Sequence, residues 1–311
     1  MRAVWLKEFG GPEVLVPSDT PDPEVLPDQV LVEVEFANIT FVETQVRAGK
    51  APWPVQLPMI PGNGVGGVVV SVGASVDPSL VGARVITSTG GTGGYASLAA
   101  VDSSGLIAVP ADMALDHAVA LLADGRTATM LADSVGLRAG DRVLVEAAAG
   151  GVGTLLVQLA RAAGALVVAL AGGPHKVALV RGADVVIDYL LPDWPDRVRA
   201  AVGAVDAVFD GVGGEIGRDA FSLLDPGGRM LSFGLASGEW AGITPEAAAA
   251  RGVSLLTGGR PTPAEARSYT LRALSGLVPV IGRRFPLSWA ADAHALIESR
   301  GAVGKTLLEV R

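Results

Sequence analysis

The residues of this chain best suited to chemistry are four in a row, Gly150-Gly151-Val152-Gly153. They follow the apolar run Val143-Leu144-Val145 and precede a stretch with helical spacing, 154–163. Glycine has no Cβ, so such a turn lets the backbone come close to a pyrophosphate. A helix starting there presents unpaired N–H groups and the positive end of its dipole to the anion. The chemistry is then dinucleotide binding, and it requires a strand before the turn and a βαβ series after it. Outside that context the same glycines are only a tight turn.

The next strand, 166–171, ends at Gly172-Gly173-Pro174-His175-Lys176. A site for NAD usually carries Asp or Glu at this strand end, bonded to the ribose 2′-hydroxyl. None is present. Gly172 and Gly173 leave room, and Lys176 supplies a cation that suits the 2′-phosphate of NADPH; the alternative reading is a solvated lysine. His175 is either a second phosphate contact or a surface residue. Two later strand ends are also glycine-rich: Asp210-Gly211-Val212-Gly213-Gly214, and Phe233-Gly234-Leu235-Ala236-Ser237-Gly238. Ligands of doubly wound sheets lie beyond the carboxyl ends of the strands, so both turns are expected to border the cofactor, with Asp210 a candidate cap.

The elements that must position these turns are legible as hydrophobic pattern. Apolar strands at 142–147, 166–171, 184–188, 204–209, 229–234 and 253–257 alternate with helical stretches such as 154–163 and 215–224. That alternation predicts an α/β fold with a doubly wound parallel sheet. The first third reads instead as short β-strands, 29–36, 65–72, 83–87 and 96–101, separated by Gly and Pro clusters, with a helix at 116–135 after it. A helix at 263–277, a strand at 280–285, a helix at 289–299 and a strand at 305–310 complete the chain. The tail is expected to return to the first domain. That gives one domain of 1–118 with 258–311, and a nucleotide-binding domain of 119–257 inserted in it.

Composition excludes several classes. The chain has no cysteine, so disulfides and thiolate metal sites are ruled out, and its three histidines, 117, 175 and 294, share no metal-ligand spacing. The formal charge of −8 argues against a nucleic-acid or anionic-membrane partner. No apolar run approaches the length of a membrane span, and the first eight residues do not resemble a signal peptide, so a cytoplasmic location is the expectation.

With these residues set out, the chain resembles the zinc-free quinone oxidoreductases, the zeta-crystallin-like branch of the medium-chain dehydrogenase/reductase superfamily. The stretch AAAGGVGTLLVQLARAAGA carries the resemblance most strongly, and FGGPEVL, PDQVLVEVEFANITFVETQVRAG, Pro61-Gly62, VGARV, GGYA, VIDY and RRFPLSWAADAHALIESRGAVGKTLL follow the family's order. The resemblance implies a GroES-like, β-rich catalytic domain beside a Rossmann domain, NADPH as cofactor, a cleft between the domains, no metal and often a homodimer. It implies that Gly150, Gly151, Val152 and Gly153 hold the pyrophosphate, and that Gly172, Gly173, Lys176 and Tyr189 surround the 2′-phosphate and adenosine. Thr127 is expected near the nicotinamide, Val212, Phe233, Gly234, Leu235 and Ala236 along its far side, and Leu256, Thr257 and Gly258 on the tail side. An edge strand near Val253 is the expected pairing element of a dimer.

The chain departs from the family at four places, all in the first domain. Thr40-Phe41 stands where Asn-Pro or Asn-Phe is usual, Glu43 where Asp is common, Ala51 where tyrosine is common, and Asn63-Gly64 where Glu follows Pro-Gly. The implied reaction is hydride transfer from NADPH to a quinone or an α,β-unsaturated carbonyl, and charge developing on the substrate oxygen needs a hydrogen-bond donor already in place. Thr40 is the first candidate and Arg126 the second; each also reads as an ordinary strand-end or solvated residue. Tyr95, Tyr269 or water is the candidate proton donor. Phe41, Trp53 and Trp240 are candidates for an apolar substrate wall, or core residues. The alternatives are a reductase of an enoyl thioester or natural-product intermediate, and a non-catalytic NADPH-binding regulatory protein.

Overall fold

The computed structural model describes all 311 residues, Met1–Arg311. Contacts divide the chain into two compact units, Met1–Ala123 with Ile281–Arg311, and Asp124–Val280.

The second unit is built on six parallel strands: Arg142–Val145, Leu166–Ala171, Val185–Asp188, Val205–Asp210, Leu224–Ser232 and Ser254–Leu256. Numbered in chain order, they lie 3-2-1-4-5-6 across the sheet, and every adjacent pair is parallel. This is the doubly wound α/β arrangement expected from the sequence. Its order reverses between the first and fourth strands, the point at which such sheets bind ligands. The central strands are apolar on both faces because helices cover both; Val143, Leu144, Val145, Val167, Val168 and Phe209 have no exposed surface.

The region expected as one helix over 116–135 is three elements, an α-helix Leu115–Ala120, a π-helical turn Leu121–Gly125 and an α-helix Arg126–Val135. Helix Pro263–Gly276 packs on Arg126–Val135 and therefore belongs to this unit. The division expected from the sequence assigns it to the other one. Its amphipathic face gives no hint of which partner covers it.

The first unit contains a seven-stranded sheet. Strand Gln29–Asn38 is central, antiparallel to Gly64–Val72, Leu98–Asp102 and Lys305–Glu309. The last strand pairs in parallel with Ile281–Pro286, so the tail supplies two strands of this sheet. Val30, Val32 and Val34 alternate into a core shared with Val65, Val69, Phe285, Leu308 and Ala293. A helix, Phe41–Arg47, interrupts the otherwise β-rich first third, and a two-stranded ribbon, Arg2–Leu6 with Leu15–Asp19, precedes it.

Candidate functional site

Strand Arg142–Val145 enters the glycine turn through Glu146 and Ala147. Ala147 has φ 48°, a left-handed conformation that costs a residue with a Cβ roughly 1–2 kcal/mol. The turn is pinned by Ala148 N to the Leu170 carbonyl (2.9 Å) and Gly150 N to the Ala147 carbonyl (2.8 Å). A Cβ at Gly153 would overlap the Ala147 carbonyl oxygen, which is backbone and cannot yield. Helix Gly151–Ala162 is thus seated directly on the turn. No side chain caps its N-terminus, and its first internal bond runs from Thr154 N to the Gly150 carbonyl (2.9 Å). The amides of Gly151, Val152 and Gly153 and the helix dipole form a seat that fits a pyrophosphate.

At the second strand end, a Cβ on Gly172 would come 2.7 Å from the Tyr189 hydroxyl, so the Tyr189 phenol lies over Gly172. Lys176 is half-buried in the short helix Pro174–Val177, and His175 is exposed. The third strand brings an acid here that reading one strand at a time does not find: Asp188 Oδ1 accepts from Gly173 N (2.8 Å) and Leu190 N (2.9 Å).

The two later glycine turns pack on each other. A Cβ at Gly234 would lie 2.6 Å from the Gly211 carbonyl, and Phe233 N donates to the Asp210 carbonyl at 2.8 Å. Asp210 caps its own turn, its Oδ1 accepting from Val212 N (3.2 Å) and Gly213 N (2.7 Å). Glu146 Oε2 accepts from the same Val212 amide at 3.0 Å. Burial, then the charge of Asp210 and a hydrogen bond with it, hold the Glu146 carboxyl well above the usual carboxylate range. The sequence offered one signal for Glu146, a charged residue closing an apolar run. Val212 is buried, Leu235, Ala236 and Leu256 are half-buried, and Thr257 and Gly258 are exposed. Arg126 and Thr127 open their helix half-buried, and burial pulls the Arg126 guanidinium below its usual pKa.

The first unit holds a cavity of about 600 Å³ whose walls include Thr40, Val42, Glu43, Val46, Trp53 and Asn63. Thr40 is the N-cap of helix Phe41–Arg47 and its amide donates to the Glu43 carboxylate, while Asn63 N donates to Glu43 Oε1 at 2.7 Å. Burial pushes the Glu43 carboxyl up; hydrogen bonds from Thr40 and Asn63 and the charge of Lys305 oppose it. Phe41 lies outside this cavity, and Trp240 lines a separate hollow of about 250 Å³ in the second unit, with Met230 and Leu256. Phe41 and Trp53 belong to the first unit and Trp240 to the second.

Tyr95 has no exposed surface; its hydroxyl meets His294 Nε2 at 2.9 Å, and burial with the charge of Glu43 pushes the phenol well up. Tyr269 lies half-buried on helix Pro263–Gly276, with the Arg272 guanidinium 5.9 Å from its ring. Arg47, His294 and Lys305 are buried around Tyr95 and Glu43, a polar interior that sequence reasoning missed because charged residues ordinarily read as solvated.

Comparison with known proteins agrees along the chain. The family profile described as "Zinc-binding dehydrogenase" matches residues 151–273, and the "Alcohol dehydrogenase GroES-like domain" matches 26–111. The human protein named quinone oxidoreductase is 34% identical, over 99% of this chain and 97% of its own. Among solved structures, a mycobacterial protein complexed with NADPH superposes with a TM-score of 0.88 at 33% identity over the whole of both chains. An NAD-dependent alcohol dehydrogenase does so with 0.91 at 31%, again over both whole chains.

Proposed function

Because the chain belongs to the quinone oxidoreductase branch of the medium-chain dehydrogenase/reductase superfamily, we propose that it is an NADPH-dependent, zinc-independent enzyme reducing a quinone or an α,β-unsaturated carbonyl. The observation that carries this reading is the turn Ala147–Gly153, which seats an uncapped helix N-terminus with no room for a Cβ at Gly153, at the reversal point of a 3-2-1-4-5-6 sheet. Gly150, Gly151, Val152 and Gly153 bind the pyrophosphate, and Gly172, Gly173, Lys176 and Tyr189 take the adenosine and its 2′-phosphate. Thr127, Val212, Phe233, Gly234, Leu235 and Ala236 orient the nicotinamide end, with Leu256, Thr257 and Gly258 closing it. Bound there, the dihydronicotinamide supplies the hydride, while the protein supplies position and polarity.

The donor set supports zinc independence: cysteine is lacking, and no three His, Asp or Glu side chains are grouped to hold a metal ion. Polarisation of the acceptor oxygen then falls to hydrogen bonding. Thr40 lines the first-unit cavity and carries a hydroxyl, and its backbone is fixed by Glu43 and by its place at a helix N-cap. Arg126, partly desolvated, is the second donor. Trp53 and Val42 give the cavity apolar surface for a flat substrate. Tyr95, held inside the core, is assigned to packing, and water protonates the product. The outer edge of strand Ser254–Leu256, which ends the six-stranded sheet, is the pairing edge of a homodimer.

The test is fluorescence titration with NADPH and with NADH, followed by consumption of NADPH in the presence of 1,4-benzoquinone and of a simple enone. Preferential NADPH binding with turnover of either acceptor is expected. Preference for NADH would overturn the assignment of Lys176, and binding without turnover would redirect the search to thioester acceptors.

A further inference from the structure

We propose that Glu146 and Asp210 hold a single proton between them, and that neutral Glu146 is a positioning residue that fixes the Val212–Gly213 amides beside the cofactor turn. The inference rests on the NADPH reading above and assigns a role to a residue that reading does not use.

The placement comes first. Glu146 directly follows the first strand and Asp210 ends the fourth, the two neighbours between which the sheet order reverses. Phe209 and Val145 are register partners, and Glu146 N donates to the Phe209 carbonyl at 3.0 Å. Two acids thus stand side by side where such a sheet receives its ligand, and Glu146 directly precedes the left-handed Ala147 that starts the glycine turn.

Their partners then decide the charge. Both residues have no exposed surface. Neither carboxyl has a basic partner; what surrounds them is amides and one hydroxyl. Asp210 accepts three bonds, from Val212 N, from Gly213 N and from Ser232 Oγ at 2.6 Å. Glu146 Oε2 accepts from the Val212 amide, which it shares with Asp210, the Gly211 amide gives weaker support, and no donor reaches its Oε1. A buried carboxylate is stabilised by donors and raised in energy by a second negative charge beside it. Charge therefore belongs on Asp210 and the proton on Glu146. The pair is also closed to rearrangement on the side of helix Gly214–Ser222, where a Cβ at Gly217 would lie 3.0 and 3.1 Å from the two Asp210 oxygens.

The consequence is mechanical. The Val212 amide is held from both sides, by strand one through Glu146 and by strand four through Asp210. The two glycine turns are tied together at that amide. A second full charge there would repel both Asp210 and the anion held by the neighbouring helix N-terminus.

The test compares Glu146→Gln and Glu146→Ala with the wild-type chain. Glutamine keeps the shape, a neutral head, an acceptor and a donor; alanine removes the strut. Glu146→Ala is expected to weaken NADPH binding about tenfold or more, the scale of one lost buried hydrogen bond. Glu146→Gln is expected to recover most of that loss. In the infrared spectrum at neutral pH, the wild type is expected to show a protonated-carboxyl carbonyl band that Glu146→Gln lacks. If Gln is as damaging as Ala, or the band is absent, the shared proton is refuted; if Ala binds NADPH as wild type does, the positioning role is. Should Glu146→Ala fail to fold, the infrared band and the affinity of Glu146→Gln still decide. A wild-type chain that binds no NADPH would instead sink the reading beneath this one, and the infrared comparison would still report on the proton.

Discussion

The Tyr95 hydroxyl and His294 Nε2 meet at 2.9 Å inside the first unit, joining residues 199 apart in the chain. His294 Nδ1 has no partner, and the ring is edge-on to the tyrosine, with centroids 5.8 Å apart. Burial, with the nearby Arg47 charge, pulls its pKa down to about 3. The folded chain thus keeps His294 neutral while the unfolded chain protonates it near pH 6.5. Its contribution to stability is complete above pH 6.5 and is lost as pH falls toward 3, by about 1.4 kcal/mol for each pH unit inside that window. Urea titrations of the wild type and of His294→Gln, repeated between pH 7 and pH 4.5, should show the stability difference shifting in favour of the variant as pH falls. A difference that stays constant with pH would show that the imidazole does not titrate in this way.

Gly153 seats its helix on the Ala147 carbonyl, and Gly153→Ala should force the two apart. Overpacking of this kind costs about 1–3 kcal/mol. The expected result is a lower unfolding midpoint together with at least about tenfold weaker NADPH binding. Gly150→Ala, whose nearest neighbour would be the Ala147 carbonyl at 3.2 Å, should be milder in stability. Equal effects at the two positions would contradict the seating.

Thr40→Val keeps the β-branched shape and removes the hydroxyl. If that hydroxyl polarises the acceptor, kcat/KM for the quinone or enone should fall about 100-fold, the scale of a lost oxyanion donor, and Thr40→Ser should restore much of it. A Thr40→Val enzyme with wild-type kcat/KM would pass the role to Arg126 or to water.

Lys176→Glu places a negative charge where the 2′-phosphate is expected. NADPH affinity should drop about tenfold or more while NADH affinity changes little. Parallel loss of both would assign Lys176 to folding instead.

What could be read from the sequence was whatever obeys period and context. The six parallel strands were legible because each is an apolar run bounded by glycine or by a helix, and Gly150–Gly153 because it lies between such elements. Helix Phe41–Arg47 was hidden in a β-rich region, although Thr40 and Glu43 have the spacing of a capping box, a signal that would have found it. Glu146, Asp188, Arg47 and Lys305 were not legible as parts of a site. Their roles depend on partners from other strands, such as Val212 for Glu146 and Gly173 for Asp188, and one-dimensional spacing does not carry those pairings. Nor does the sequence say that Trp53 and Trp240 belong to different units.

The pairing of Lys305–Glu309 with Gln29–Asn38 sets an order of events during synthesis. A nascent chain that has emerged as far as Asp102 can assemble Gln29–Asn38, Gly64–Val72 and Leu98–Asp102, but the edge of Phe36 to Asn38 away from Gly64–Val72 waits until Lys305–Glu309 leaves the ribosome. The whole parallel-sheet unit, Asp124–Val280, is translated in the interval, and domains generally fold as units. Until then the first unit carries an open, apolar strand edge, the kind of surface that self-associates. Truncation of even the final few residues should therefore harm the yield of soluble protein out of proportion to the contacts removed.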